Sequence, residues 1–249
     1  MEPEIVILVC GDNYSYCIIS GNSVIIIDAC DARPVLTLIE KRQLDLLAVL
    51  STHHHGDHTG GNGILKQRNG CAVIGGDRRI ADIDRIVRDG EQLLLGPFQI
   101  SCIATPGHTG GSYSYHLPQC DGVFTGDTLF YAGCGRLFEG TAGELHDSLQ
   151  RLCSFPTATK LYCGHEYTLD NLAFARSLEP DNPALVERAT SVGLRLHENN
   201  RYGPASLSEE LATNPFLRTG SLTIRKALGM ENAPETTVFE ELRRRKDCF

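Results

Sequence analysis

The sequence predicts a layered α/β domain followed by a smaller helical one, and three observations carry that expectation. Short β-branched runs alternate with helical patterns through the first two thirds of the 249 residues. Beyond residue 165 the pattern becomes helix after helix. A chain of this length and apolar content is long enough to bury a large core and still carry an appendage.

In chain order, runs at 5–10, 17–19, 24–28 and 46–51 read as strands, followed by 71–75, 98–105, 112–117, 123–126 and 160–163. Between them, 33–41 carries Leu36 and Ile39 at helical spacing, Asn62 reads as the cap of a segment reaching 69, and 144–152 places Leu145, Leu149 and Leu152 on one face. The Gly21-Asn22 pair is a tight turn between two early strands. Segments 170–178, 183–198, 208–213, 221–228 and 237–246 read as helices, punctuated by Pro180, Gly203, Pro204, Pro215, Gly229 and Pro234. The expected division is a first domain over 1–166 and a helical domain over 167–249.

Composition narrows the function classes. A net charge of -8 argues against a nucleic-acid or membrane-surface partner, because phosphate binding needs a basic face. No apolar stretch reaches 18 residues, and the N-terminal apolar run has an acidic flank where a signal peptide would be basic. A cytoplasmic protein that works as a monomer is the expectation. The ten cysteines sit largely inside apolar runs of a large chain and lack the C-x-x-C spacing of a zinc ribbon, so reduced, buried thiols are expected.

Chemistry concentrates at 52–62, THHHGDHTGGN, directly after an apolar run. Imidazoles and a carboxylate match the donor preferences of zinc and related transition metals. Alternate residues of an extended segment point the same way, so His53 and His55 converge while His54 points elsewhere. Asp57 and His58 lie where the chain turns toward Gly60 and Gly61, aimed at a neighbouring position. His108, Asp127 and His165 each follow a strand end, and in α/β folds such loops form the binding crevice. Gly107, Gly110, Gly111, Gly126 and Gly164 allow close backbone approach around them. Asp28, closing the strand IIID, is a candidate to orient a ligand histidine.

These residues resemble a known family. H-x-H-x-D-H at 53–58, with His108, Asp127 and His165, is similar to the metallo-β-lactamase superfamily. GDTLFYAGCGRLFEGT at 126–141, CGHEYTLDNLAFA at 163–175, NPFLR at 214–218 and the terminal RRRKDCF resemble the glyoxalase II (hydroxyacylglutathione hydrolase) family. The resemblance implies an αββα sandwich followed by a helical substrate-binding domain. It further implies two divalent ions, zinc first, with iron and manganese as alternatives: one held by His53, His55 and His108, the other by Asp57, His58 and His165, with Asp127 bridging. Asp57 and Asp127 are then the catalytic carboxylates. Glutathione would lie between the domains, contacted by Arg136, Tyr167, Arg243 and Lys246. The chain departs from the family at Phe138, where some members have tyrosine, and at Gly56 and the Ala29-Cys30 pair.

The activity implied is hydrolysis of S-2-hydroxyacylglutathione, such as S-D-lactoylglutathione, by a metal-bridging hydroxide, the second step of methylglyoxal detoxification. Arg243 and Lys246, three apart on a helix, present one cationic face to an anionic substrate. The rival readings are a glutathione persulfide dioxygenase with a single iron, a thioesterase for another low-molecular-weight thiol, and a metal-binding regulator without turnover.

Overall fold

The structure is a computed structural model that describes residues 2–199 and 201–249. Its chain falls into two compact units that do not follow chain order. The first runs to Thr105 and also takes Gly111–Asp127 and Cys163–His165. The second takes Pro106–Gly110, Thr128–Tyr162 and Glu166–Phe249.

In the first unit, strands β1 (Glu4–Cys10), β2 (Asn13–Ser20) and β3 (Ser23–Ile27) form an antiparallel meander. Helix α1 (Ala32–Arg42) then crosses to β4 (Asp45–Ser51), which pairs parallel with β3. The short α2 (Gly56–Thr59) and α3 (Asn62–Asn69) lead to β5 (Ala72–Gly75) and β6 (Arg85–Ile86), also parallel. A helical crossover is what parallel pairing demands. The β3 run Val24–Ile27 is no more than 1% exposed at any position, as expected of a central strand covered on both faces. Val35 and Ile39 of α1 pack with Cys17, Ile19, Val24, Ile26 and Leu65 into one core, each burial contributing roughly 1.5–3 kcal/mol for the larger side chains. Strands β7 (Gln92–Leu95), β8 (Phe98–Ala104), β9 (Tyr113–Leu117) and β10 (Gly122–Gly126) complete the unit as an antiparallel series.

The expected cap at Asn62 is corrected. Gly61 occupies the cap position of α3, and Asn62 is its first residue, fully buried. Its amide donates to Ser51 Oγ at 3.1 Å and to the Ala81 carbonyl at 3.2 Å. An inward-turned Asn cannot also cap, so the polar side chain ties the helix start to β4 instead.

The second unit is mostly helical. It contains the β11 (Leu129–Phe130) and β12 (Gly133–Cys134) hairpin, α4 (Ala142–Cys153), most of β13 (Lys160–Cys163), α5 (Thr168–Leu178) and α6 (Pro183–Asn199). It ends with β14 (Ala205–Ser206), α7 (Leu207–Thr213), α8 (Leu222–Leu228) and α9 (Glu235–Asp247). Within it Phe174 stacks on Phe216 with ring centroids 6.0 Å apart, and Phe239 meets Phe216 edge-on at 5.7 Å. Among the described residues all ten cysteines are free thiols, six of them buried, and no helix is long and apolar enough to cross a membrane.

Candidate metal centre

Parallel pairing builds the first half of the site. Because Ile27 of β3 lies opposite Leu50 of β4, the residues that follow each strand emerge side by side. Asp28, at φ +54, turns back with one carboxylate oxygen accepting from the Thr52 backbone N–H at 2.7 Å. Its other oxygen, Oδ2, accepts from Thr52 Oγ1 at 2.8 Å and from His58 Nδ1 at 2.9 Å. Left-handed backbone is uncommon outside glycine, and Asp and Asn adopt it most readily.

That carboxylate fixes two tautomers. A carboxylate only accepts, so His58 carries its proton on Nδ1 and presents a lone pair at Nε2. The Thr52 hydroxyl donates its hydrogen bond to Asp28, so it accepts from His53 Nδ1 at 3.0 Å, and His53 likewise presents Nε2. His53 Nε2 lies 3.0 Å from His55 Nδ1. His54 turns away, toward Asp77, at 3.6 Å.

Acceptors then crowd one point. His58 Nε2 lies 3.2 Å from His165 Nε2 and 3.3 Å from Asp127 Oδ1. His165 Nε2 lies 3.3 Å from Asp127 Oδ2 and 3.4 Å from Asp57 Oδ2. Two sets within the first unit bring one ligand atom per residue within 4.8 Å of one another: His53, His58 and Asp127, and Asp57, His58 and His165. Donor atoms bound about 2.0–2.1 Å from a tetrahedral ion stand roughly 3.4 Å apart. The measured spacings match, and the donor set of imidazoles and carboxylates suits zinc, iron or manganese alike.

The electrostatics call for the same positive charge. Burial opposes charge on His165, yet the carboxylates of Asp127 and Asp57 outweigh it and raise its pKa to about 10. Burial likewise opposes charge on His58 and is outweighed by Asp127 and Asp28, so its pKa rises. The bond from His165 holds Asp57 far below the usual carboxylate range. Asp127 is also far below that range, because the surrounding imidazoles, His58 foremost, outweigh its burial. His55 moves the other way, lowered by burial and by His54.

Two glycines make the convergence possible. A Cβ on Gly164 would stand 2.2 Å from Asp127 Oδ1 and 2.8 Å from His58 Cε1. One on Gly126, at φ +49, would stand 2.4 Å from Thr52 Oγ1. Gly110, by contrast, has only an ordinary 3.6 Å neighbour.

Sequence reasoning missed Asn13. Its amide Nδ2 lies 3.1 Å from Asp57 Oδ2, 3.2 Å from the Asp57 carbonyl and 3.4 Å from His165 Nε2. An asparagine after a turn glycine gives no sequence signal beyond the turn itself.

The remaining candidates belong to the second unit. His108, 3% exposed, donates a hydrogen bond from Nδ1–H to the Arg136 carbonyl at 2.9 Å, which again leaves the Nε2 lone pair open. The Phe138 ring, 63% exposed, stands edge-on to the His108 imidazole at 5.2 Å. The Arg136 side chain is largely exposed, and Tyr167 packs its ring against Phe130. Arg243 is buried. It gives two hydrogen bonds to Asp247 Oδ1 and one to the Cys134 carbonyl, and lies over the Phe216 ring. The Lys246 ammonium reaches the Asp170 carbonyl and lies over the rings of Phe174 and Phe249. His146 is buried, with its ring edge-on to Phe239 and its Nε2 3.4 Å from Thr219 Oγ1.

Residues 8–165 match the model of the metallo-β-lactamase superfamily, and residues 166–249 match the model described as hydroxyacylglutathione hydrolase C-terminus. The BLEG-1 B3 metallo-β-lactamase structure is 22% identical, covers 87% of this chain and 99% of its own, and superposes with a TM-score of 0.67. ETHE1 from Myxococcus xanthus is 27% identical over 98% of this chain and 99% of its own, with a TM-score of 0.68. The protein thus has the α/β metallo-β-lactamase fold with a helical C-terminal segment, the fold class expected, and a His/Asp centre suited to two metal ions. A Brucella ovis relative named hydroxyacylglutathione hydrolase is 46% identical over 245 residues, 96% of this chain and 95% of its own. The chain belongs to the hydroxyacylglutathione hydrolase family.

Proposed function

We propose that the protein is a cytoplasmic, monomeric thioesterase that hydrolyses S-2-hydroxyacylglutathione, S-D-lactoylglutathione among others, to glutathione and a 2-hydroxy acid. This is the second step of methylglyoxal detoxification. The observation that carries the reading is the meeting of His58, His165, Asp57 and Asp127 at the spacing of metal ligands. The named relatives favour hydrolysis over the dioxygenase reading.

In this reading His53, His55 and His108 would hold one ion and Asp57, His58 and His165 the other, with Asp127 a ligand shared by the two. Zinc is the proposed metal, and iron or manganese suits the same donors. The proposed division places the metal chemistry in residues 1–166, which also contribute Arg136, and the other substrate contacts in 167–249. Bound metal supplies a nucleophilic hydroxide near neutral pH and polarises the thioester carbonyl.

The protein's own groups do the rest. Asp28 and Thr52 hold His53 and His58 with their lone pairs inward. Asp57 and Asp127 stay ionised at working pH, supplying two negative charges against the metal charge. The leaving thiolate needs little acid assistance, since a thiol of pKa near 8.5 is a good leaving group. Arg136, Tyr167, Arg243 and Lys246 are the proposed contacts to the thiol tripeptide, and Arg243 also ties α9 to the β12 backbone.

The test follows thiol release from S-D-lactoylglutathione by metal-replete protein and two variants. His55→Ala abolishes turnover, while Lys246→Glu mainly raises KM. Equal activity in His55→Ala, or no activity in the wild type, would overturn the assignment.

A further inference from the structure

We propose that Asn13 is a positioning residue that sets the affinity of the second metal position, acting through Asp57; the inference rests on the two-metal reading. Asp57 is the weakly held member of the cluster. Its side chain is 49% exposed, whereas those of His58, Asp127 and His165 are 1%, 9% and 5% exposed. It sits on the four-residue helix α2, whose cap position, His55, makes no side-chain capping bond. A carboxylate on so short and open an element has rotamers that point to solvent, and something must select the one that points inward.

Asn13 supplies that selection. Its Nδ2 donates to Asp57 Oδ2, the same oxygen that lies 3.4 Å from His165 Nε2, and to the Asp57 carbonyl. One amide therefore clamps both side chain and backbone of Asp57. With Oδ2 and the carbonyl both accepting, the nitrogen rather than the oxygen of the amide must face Asp57, so the orientation of Asn13 is fixed by its partners.

The clamp is itself anchored. Asn13 is 7% exposed and pairs in an isolated antiparallel bridge with His165. The next residue, Tyr14, donates its backbone N–H to the Gly164 carbonyl at 2.9 Å, and the Tyr16 hydroxyl donates to the Cys163 carbonyl at 2.5 Å. The β1–β2 turn is thus tied along the segment that carries His165. Asn13 joins the two ligands of one ion that come from distant parts of the chain, residues 57 and 165. Both ligands it joins belong to the second position, so its effect falls there.

Partners of this kind typically contribute about 10–100-fold to metal affinity. The experiment titrates metal-stripped wild type, Asn13→Ala and the near-isosteric Asn13→Asp with zinc against a chromophoric chelator, resolving two stepwise constants. Expected is a loss of about 10–100-fold in the weaker constant, with the tighter one unchanged and the melting temperature of the stripped protein within a few degrees. In an Asp57→Ala background, adding Asn13→Ala should cost nothing further. Equal loss at both positions, or an undiminished second constant, would overturn the proposal while leaving the two-metal reading intact. A wild type that binds no zinc would instead remove the reading on which it rests.

Discussion

At the scale of single residues, Asp28 does more than its one hydrogen bond to a ligand suggests. Its Oδ2 accepts hydrogen bonds from both His58 Nδ1 and Thr52 Oγ1, and the second of these passes the same constraint to His53. Asp28→Asn keeps the left-handed backbone but places a donor where two donors already point, so both imidazoles lose their imposed tautomer. Zinc affinity is expected to fall about 10–100-fold with the fold retained, as read by metal content after dialysis against a weak chelator. Metal uptake should also release protons. His165 has a pKa near 10 in the metal-free site, so at pH 7 it carries a proton that the ion must displace. Zinc affinity therefore rises with pH through neutrality, and titration calorimetry in buffers of different ionisation enthalpy reads the proton count. The sequence displayed Asp28 because it closes an apolar run just before a helix. It hid Asn13, whose partner Asp57 lies 44 residues away.

At the scale of elements, strand ends decide which residues meet. The stretch His53 to His55 just past β4, the close of β10 before Asp127 and the close of β13 before His165 were all legible, because β-branched runs mark strands and the proposed ligands stand just after them. The two-residue strands β6, β11, β12 and β14 were not, since so short a pairing is made by tertiary neighbours and leaves no periodicity. Asn62 misled for a related reason: its type suits a cap, and only the position of Ser51 and Ala81 turns it inward. Gly164→Ala tests the tightness of the strand ends. Its methyl would fall 2.2 Å from Asp127 Oδ1, so metal content should drop while the far-ultraviolet circular dichroism stays that of the wild type. On α7, Ser206 accepts from the Glu209 backbone N–H in a reciprocal capping arrangement. Ser206→Ala should cost about 1 kcal/mol in urea unfolding and leave turnover unchanged, since no proposed ligand or substrate contact lies on that helix.

At the scale of the whole molecule, an acidic protein meets an anionic substrate, so the cations nearest the substrate matter more than the total charge of -8. The sequence offered Arg243 and Lys246 as one face of a helix. In the structure Arg243 is buried, with hydrogen bonds to Asp247 and Cys134, whereas Lys246 is half-buried with an ammonium close to two aromatic rings. Arg243→Ala should therefore lower stability, leaving the Cys134 carbonyl and Asp247 without their donor, at a cost of about 1–3 kcal/mol. Lys246→Glu should instead raise KM with an unchanged melting temperature. Two ions in the His/Asp cluster are what the proposed glutathione thioesterase activity requires. The most direct measurement is the initial rate of thiol release from S-D-lactoylglutathione as zinc is added to metal-stripped protein. The rate should stay low without metal, climb with added zinc and level off at two equivalents per chain. A rate that is full without metal, saturates at one equivalent, or stays absent at any loading would contradict the account.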